Sequence, residues 1–284
     1  MKPTIIRCSA LTGYPDCERR GAARLFRAEI EAAGFKLRET PRGIGAAVGT
    51  SVHKGVAVEL DEKATAGKLP PVSVPTDAAV DELCEQLAQG EVAYDGPKGV
   101  TKTRGEAIHS AAKMVRAYHE SVAPDVEPIS VETRLEAEIM PGFILSGQSD
   151  LVAREPRSVR DLKTGTRSPT SVTAQLGGYS LLNRSHRMAI DSASIDWIQR
   201  VRESKEQPDP VSTKVKLDRA ETAATMILSH IIKGIETFRH GDPERRILPG
   251  DPWAFLANPS SVLCSDKWCP AFGTEFCHEW KEKE

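Results

Sequence analysis

Residues Gly147–Tyr179, GQSDLVAREPRSVRDLKTGTRSPTSVTAQLGGY, decide the fold. Just before and into this stretch, Phe143, Leu145, Gly147 and Ser149 alternate with Ile144, Ser146, Gln148 and Asp150. Part of that run reads as a strand ending at Asp150-Leu151-Val152. Glu155-Pro156-Arg157-Ser158 carries the proline and small polar residue of a turn. Val159-Arg160-Asp161-Leu162-Lys163 returns as a second strand, which predicts a hairpin. Alternation then puts Asp161 and Lys163 on one side and Leu162 on the other, toward a core. From Ser171 onward the sequence predicts a helix, with Gln175 and Tyr179 four residues apart on one face.

Asp150, on the neighbouring strand, can join Asp161 around a hard divalent cation. Such an ion takes carboxylate, carbonyl and water oxygens, at about 2.0–2.1 Å if it is magnesium. A protonated Lys163 is no ligand, but beside the ion it can orient or help deprotonate a water and neutralise charge building on a phosphate. Taken separately, these groups are ordinary: an exposed D-x-K ion pair contributes only about 0–1 kcal/mol. The solvated reading leaves unexplained the helix that follows at once with Gln175 and Tyr179.

The ordered set G-x-x-D at Gly147–Asp150, D-x-K-T-G at Asp161–Gly165 and Q-x-x-x-Y at Gln175–Tyr179 resembles the PD-(D/E)xK nuclease superfamily, in particular its RecB-type exonuclease branch. The resemblance implies an α/β, restriction-endonuclease-like core, with a central mixed sheet of four or five strands flanked by helices. It implies a metal-dependent deoxyribonuclease, in which His53, Asp150, Asp161 and the Leu162 carbonyl hold Mg2+ or Mn2+. Lys163 would act on the water, and Gln175 and Tyr179 would position DNA or the lysine strand. Gly177 and Gly178 inside that helix cost about 1 kcal/mol each relative to alanine; close backbone approach to DNA or to the sheet would explain them, and so would fraying.

His53 enters through Gly49-Thr50-Ser51-Val52-His53, which is similar to the family's G-T-x-x-H element. Gly105-Glu106-Ala107-Ile108-His109 has the same spacing on a later helix, but the Gly-Thr context favours His53. Glu132 matches a glutamate found in the family at the start of its strand, near the metal or the DNA; an exposed strand charge is the plain alternative. The implied activity is an exonuclease working on DNA ends, single- or double-stranded, in recombination, repair or CRISPR adaptation, alongside a recombinase or helicase. The competing expectation is a non-cutting nucleic-acid-binding or assembly module on the same fold. Keeping both Asp161 and Lys163 argues against it, because a degenerate site commonly loses one.

With 284 residues, 27% charged and 39% apolar, the chain suits a globular protein with a sizeable core. The net charge of -2 supplies no global basic field, so attraction for DNA has to be local. Arg154, Arg157, Arg160, Lys163 and Arg167 surround the candidate site, and Arg184, Arg187, Arg200 and Arg202 follow. No G-x-S-x-G, P-loop or H-E-x-x-H is present, so other hydrolase classes lack support and any helicase motor must be a separate protein. The opening MKPTIIRCSALTG lacks a signal peptide's apolar run, and no stretch approaches the ~20 apolar residues of a membrane span; a cytoplasmic, membrane-free protein is expected.

Ala23, Phe26, Ile30 and Ala33 predict a helix begun by Asp16 or Cys17, and Gly43 to Leu60 predicts a second. Asp61 to Thr76 reads as an irregular insertion, Ala78 to Gln89 as a short helix with Cys84 in the core, and Arg104 to Ser121 as a longer helix. Ile129 to Ile139 and Ser194 to Arg202 read as strands and Arg219 to Phe238 as a long helix. The expected organisation is one nuclease domain over 1–284, with a helical insertion around 61–121 and a cysteine-rich segment, 260–284, closing onto the N-terminal helix.

That segment holds Cys264, Cys269 and Cys277, three thiols that need a fourth ligand to close a metal site. In a reducing compartment cysteines serve as thiols or metal ligands rather than disulfides. The resemblance to iron–sulphur members of the family supplies Cys17 as the fourth ligand of a [4Fe-4S] cluster. A structural Zn2+, with His278 offering a nitrogen, and no metal at all both stay open.

Overall fold

The two strands of the deciding stretch form a hairpin in the computed structural model, which describes residues 3–90, 92–94, 99–154, 156–169 and 172–277. In order, the elements are β1 (Thr4–Arg7), α1 (Ala10–Gly13), α2 (Glu18–Leu25), α3 (Arg27–Ala32), β2 (Arg42–Gly43), α4 (Ile44–Ala66), α5 (Ser73–Ala88), β3 (Val92–Ala93), α6 (Val100–Ser121), β4 (Pro128–Met140), β5 (Phe143–Ala153), β6 (Ser158–Gly165), α7 (Thr173–Ser185), β7 (Ser192–Gln199), β8 (Val211–Val215) and α8 (Leu217–His240). Glu155, in the predicted turn, Ser171 and His278 lie outside the described residues.

Strand β5 is the hub. Along one edge it pairs antiparallel with β4 through a turn at Gly142, whose φ of 80° suits glycine. Along the other edge it pairs first with β1, parallel from Phe143 to Ser146, and then with β6, antiparallel from Leu151 to Ala153. β6 runs parallel to β7 through the α7 crossover, and β8 closes the sheet antiparallel. Among the described residues the mixed sheet therefore has six strands rather than four or five. The extra strands are β1 and β8, too short to show a period; four of the five β8 side chains are exposed.

Helices cover both faces. Ile6, Leu145, Val152, Val159 and Ala193 pack with α1–α3, α7, α8 and the C-terminal aromatics Phe255 and Phe276. Leu151, Ala153, Leu162 and Ile198 pack under α4, α5 and α6. The segment expected to be irregular from Asp61 to Thr76 is largely helical: α4 runs on to Ala66, where Gly67 caps it at φ 71°, and α5 starts at Ser73. Pro75 sits in the first turn of α5, where a missing N–H costs nothing. α5 buries Ala79, Leu83 and Leu87, so Cys84 faces outward and is exposed, not core.

The glycines of α7 serve helix packing. A Cβ on Gly177 would stand 1.9 Å from the Ala220 carbonyl oxygen of α8, and one on Gly178 2.9 Å from Cys8 Sγ. The close approach is thus to α8 and the N-terminal turn, not to the sheet.

Candidate active site

The alternation of β5 changes phase where the site begins. Phe143 and Leu145 face the first core, yet Leu151 and Ala153, of the same parity, face the second. Glu132 of β4, between the register pairs Val131↔Leu151 and Thr133↔Ser149, lies opposite Asp150 and adopts φ 46°. A non-glycine residue in that region carries strain of the order of 1 kcal/mol or more, which the surrounding ladder holds in place. The sheet is irregular where the acidic groups gather.

Asp150 is the junction. Its Oδ2 accepts the Leu162 backbone N–H at 2.6 Å, and its Oδ1 lies 3.2 Å from His53 Nδ1 on α4. One donor atom each from His53, Glu132 and Asp150 lies within 4.8 Å of the others, a grouping that fits a metal ion. Gln148 holds Glu132 in place, its Nε2 donating to Glu132 Oε2 at 2.6 Å.

Asp161 and Lys163 project to the other face, toward α7. Asp161 is 1% exposed, and Lys163 Nζ lies 2.5 Å from its Oδ2. Gln175 ties this half together: Nε2 donates to Asp161 Oδ1 at 3.0 Å and to the Tyr179 hydroxyl at 2.8 Å, while Oε1 accepts from Lys163 Nζ at 3.4 Å and from Thr12 Oγ1 at 3.5 Å. Tyr179 is buried and reaches Asp161 through Gln175.

The electrostatics match a site short of positive charge. Burial, then the Asp150 charge, push Asp161 up to about 6 against the opposing pull of Lys163. Burial and Asp150 likewise raise Glu132. For Asp150 burial works upward, but His53, Lys163 and the Leu162 amide outweigh it and hold the carboxyl below its usual range. Burial disfavours the His53 imidazolium, yet Asp150 outweighs that and raises it. A divalent cation would relieve the crowding of carboxylates, so this donor set fits one.

Of the four sequence-derived metal ligands, His53 and Asp150 converge with Glu132. Asp161 stays outside that trio, its oxygens engaged by Gln175 and Lys163, and Leu162 meets Asp150 through its amide N–H. His109, the rival histidine, is exposed on α6. Thr12 was not singled out in the sequence, because no pattern links it to Gln175 across 163 positions. Two expected DNA-facing arginines are already neutralised: Arg160 is held bidentately by Asp196 at 2.9 and 2.6 Å, and Arg184 pairs with Glu221.

The C-terminal segment returns to the start of α2. Asn258 N–H donates to Cys17 Sγ at 3.4 Å, Arg20 to Ser261 Oγ at 3.0 Å and Arg24 to the Trp268 carbonyl at 2.5 Å. Cys17, Cys269 and Cys277 are buried and Cys264 is half-buried. Burial chiefly raises the Cys269 thiol, with the nearby Cys17 adding to it and Arg20 opposing. A single zinc at about 2.3 Å from each thiolate sets sulphurs about 3.8 Å apart, and no three of the described cysteines are drawn within 4.8 Å of one another. Among the described residues no helix is long and apolar enough to cross a membrane.

The profile of the PD-(D/E)XK nuclease superfamily matches residues 8–271. Among solved structures, a candidate exonuclease from Eubacterium rectale superposes with a TM-score of 0.56 at 11% identity, over 92% of this chain and 87% of that one. An alkaline exonuclease from Laribacter hongkongensis gives a TM-score of 0.31 at 9% identity, over 69% of this chain and 96% of its own. No curated protein matches.

Proposed function

The chain belongs to the PD-(D/E)XK nuclease superfamily, and from that premise we propose that it is a metal-dependent DNA exonuclease. The observation that carries the reading is the junction at Asp150, which joins the converging donors of His53 and Glu132 to the strand bearing Asp161 and Lys163. His53, Glu132 and Asp150, with Asp161 beside them, would hold Mg2+ or Mn2+. When bound, the ion supplies Lewis-acid polarisation of the phosphate and a more acidic water.

The protein's own groups do the rest. Lys163 shares its ammonium between Asp161 and Gln175, which fixes Nζ where it can orient the attacking water or balance charge building on the scissile phosphate. Gln175 sets the distance between Asp161 and Lys163, and Tyr179 holds Gln175 from behind. His53 orients Asp150 and offers the remaining donor. Cys17, Cys264, Cys269 and Cys277 are read as the ligands of a [4Fe-4S] cluster that ties the tail to α2; the return of the tail to Cys17 supports this. Work on DNA ends in recombination, repair or CRISPR adaptation, beside a separate recombinase or helicase, belongs to the same reading.

The test is digestion of end-labelled linear DNA and closed circular DNA with Mg2+ or Mn2+, using anaerobically purified wild type and Lys163→Ala. Loss of linear DNA alone that vanishes in the variant supports an exonuclease, and cutting of the circle makes it an endonuclease. Equal inactivity with DNA still bound would leave a non-cutting module. Iron and sulphide content, with a broad absorption near the visible edge that fades on reduction, reads the cluster separately.

A further inference from the structure

A groove of about 1050 Å3 lies against α1, away from the acidic site. α1 separates the two: Ser9, Ala10 and Gly13 line the groove, while Thr12 touches Gln175. One wall is β1, an edge of the sheet, with Ile5 and Arg7 exposed. The other wall is α2 and α3. Four arginines line it, Arg7, Arg20, Arg24 and Arg239, against one carboxylate, Glu29.

Glu29 is already taken by Arg239, and Arg20 by Asp16. Arg7 and Arg24 meet no carboxylate among the described residues, so their charge is available. Beyond Arg24 the chain places an aromatic face: Arg24 bonds the Trp268 carbonyl, Trp268 is 40% exposed, and Lys267 Nζ stands 4.9 Å from its ring.

We propose that this groove is a track for single-stranded DNA, running from Trp268 past Arg24 and Arg7 to α1 and so to the nuclease site. A cationic rim over apolar and aromatic side chains suits a strand whose bases are free to stack, since every base offers a π face and every phosphate a charge. A duplex keeps the faces of its bases stacked inside and offers only their edges and the phosphates, so it would leave Trp268 without a base to stack on. The track rests on the nuclease reading only for its destination; the binding surface stands on its own residues.

The experiment is fluorescence anisotropy with a labelled single-stranded oligonucleotide and the duplex of equal length. It uses the full chain with Ca2+ in place of the catalytic ion, over a salt series. Arg7→Ala/Arg24→Ala should weaken single-strand binding and flatten the slope of log K against log salt by about 1.4, two contacts at roughly 0.7 each. Trp268→Ala should weaken it about tenfold or more and Trp268→Phe, which keeps a stacking face, much less. Unchanged affinity and slope in the variants, an equal loss on duplex, or no single-strand binding by wild type would overturn the track. A wild type that binds the strand through these residues but never cuts would sink the nuclease reading and leave the track standing. Cutting that persists with unaltered binding in the variants would do the reverse.

Discussion

On the α7 side of the site the key polar groups already meet protein partners: Asp161 is hydrogen-bonded by Gln175 and ion-paired with Lys163, and Gln175 uses both ends of its amide. On the α4 side His53, Glu132 and Asp150 bring donor atoms together in a grouping that fits a metal ion. In the first half Asp161, Gln175 and Tyr179 are buried and held to one another by hydrogen bonds. The second holds strain at Glu132 and crowded carboxylates that a bound cation would settle. One half orients and the other is kept for an ion.

Asp150 belongs to both halves, so its loss should have the largest effect. Asp150→Ala removes the carboxylate facing His53 and the acceptor of the Leu162 amide. Cutting should fall by a thousandfold or more, about 4 kcal/mol of transition-state stabilisation, with the circular dichroism spectrum retained. Lys163→Ala removes contacts of the orienting half, to Asp161 and Gln175, and leaves the His53, Glu132 and Asp150 donors in place. Its kcat should fall about 100- to 1000-fold, while metal binding, followed by calorimetry, survives. A Lys163→Ala protein that lost metal affinity as well would erase the distinction between the halves.

Glu132→Gln probes the other half alone. Metal affinity should fall about tenfold or more, near 1.4 kcal/mol, with the Asp161–Lys163–Gln175 contacts intact. Glu132→Gly should lose the metal equally yet cost little in stability, because glycine takes the positive φ freely. Glu132→Val, β-branched, should be destabilised by more than either. Equal melting temperatures for the three variants would count against strain at this position.

Much of this was legible in the sequence, for reasons that differ by residue. Asp161-Leu162-Lys163 could be read because strand alternation is local and Leu162 is a packing residue, as the second core shows. Gln175 and Tyr179 could be read because helix spacing is local too. β5 was only half legible: its apolar parity reverses around Asp150, so no single alternation runs through it, and the break coincides with the site. Glu132 could not be separated from an exposed strand charge, since what distinguishes it is a backbone angle and an opposite strand. β1 is four residues long and is defined by pairing with residues some 140 positions away. Thr12 and the groove around α1 depend on contacts of the same reach. Local periodicity reports elements; it does not report which of them meet.

The remaining expected effect is a pH dependence, carried in the orienting half by Asp161. In the unfolded chain Asp161 titrates near 3.9, whereas in the metal-free fold it is pushed up to about 6. Between those values the folded state binds more protons than the unfolded one, so this group's contribution to stability is full below about 4 and is lost as the pH rises through about 6. Asp150, lowered in the fold, runs the opposite way: its contribution is present above the unfolded value and is lost as the pH falls through the folded one. Urea unfolding of metal-free wild type and Asp161→Asn separates them, because the substitution subtracts the Asp161 titration and leaves Asp150 in place. The stability of Asp161→Asn relative to wild type should rise from about pH 4 to about pH 6 and then level off. Saturating Mg2+ should stabilise the wild type mainly above that window, where ion and proton no longer compete for the carboxylates. A difference that stays flat across the window would mean that Lys163 and Gln175 satisfy Asp161 fully in its charged form, and that the orienting half needs no ion beside it.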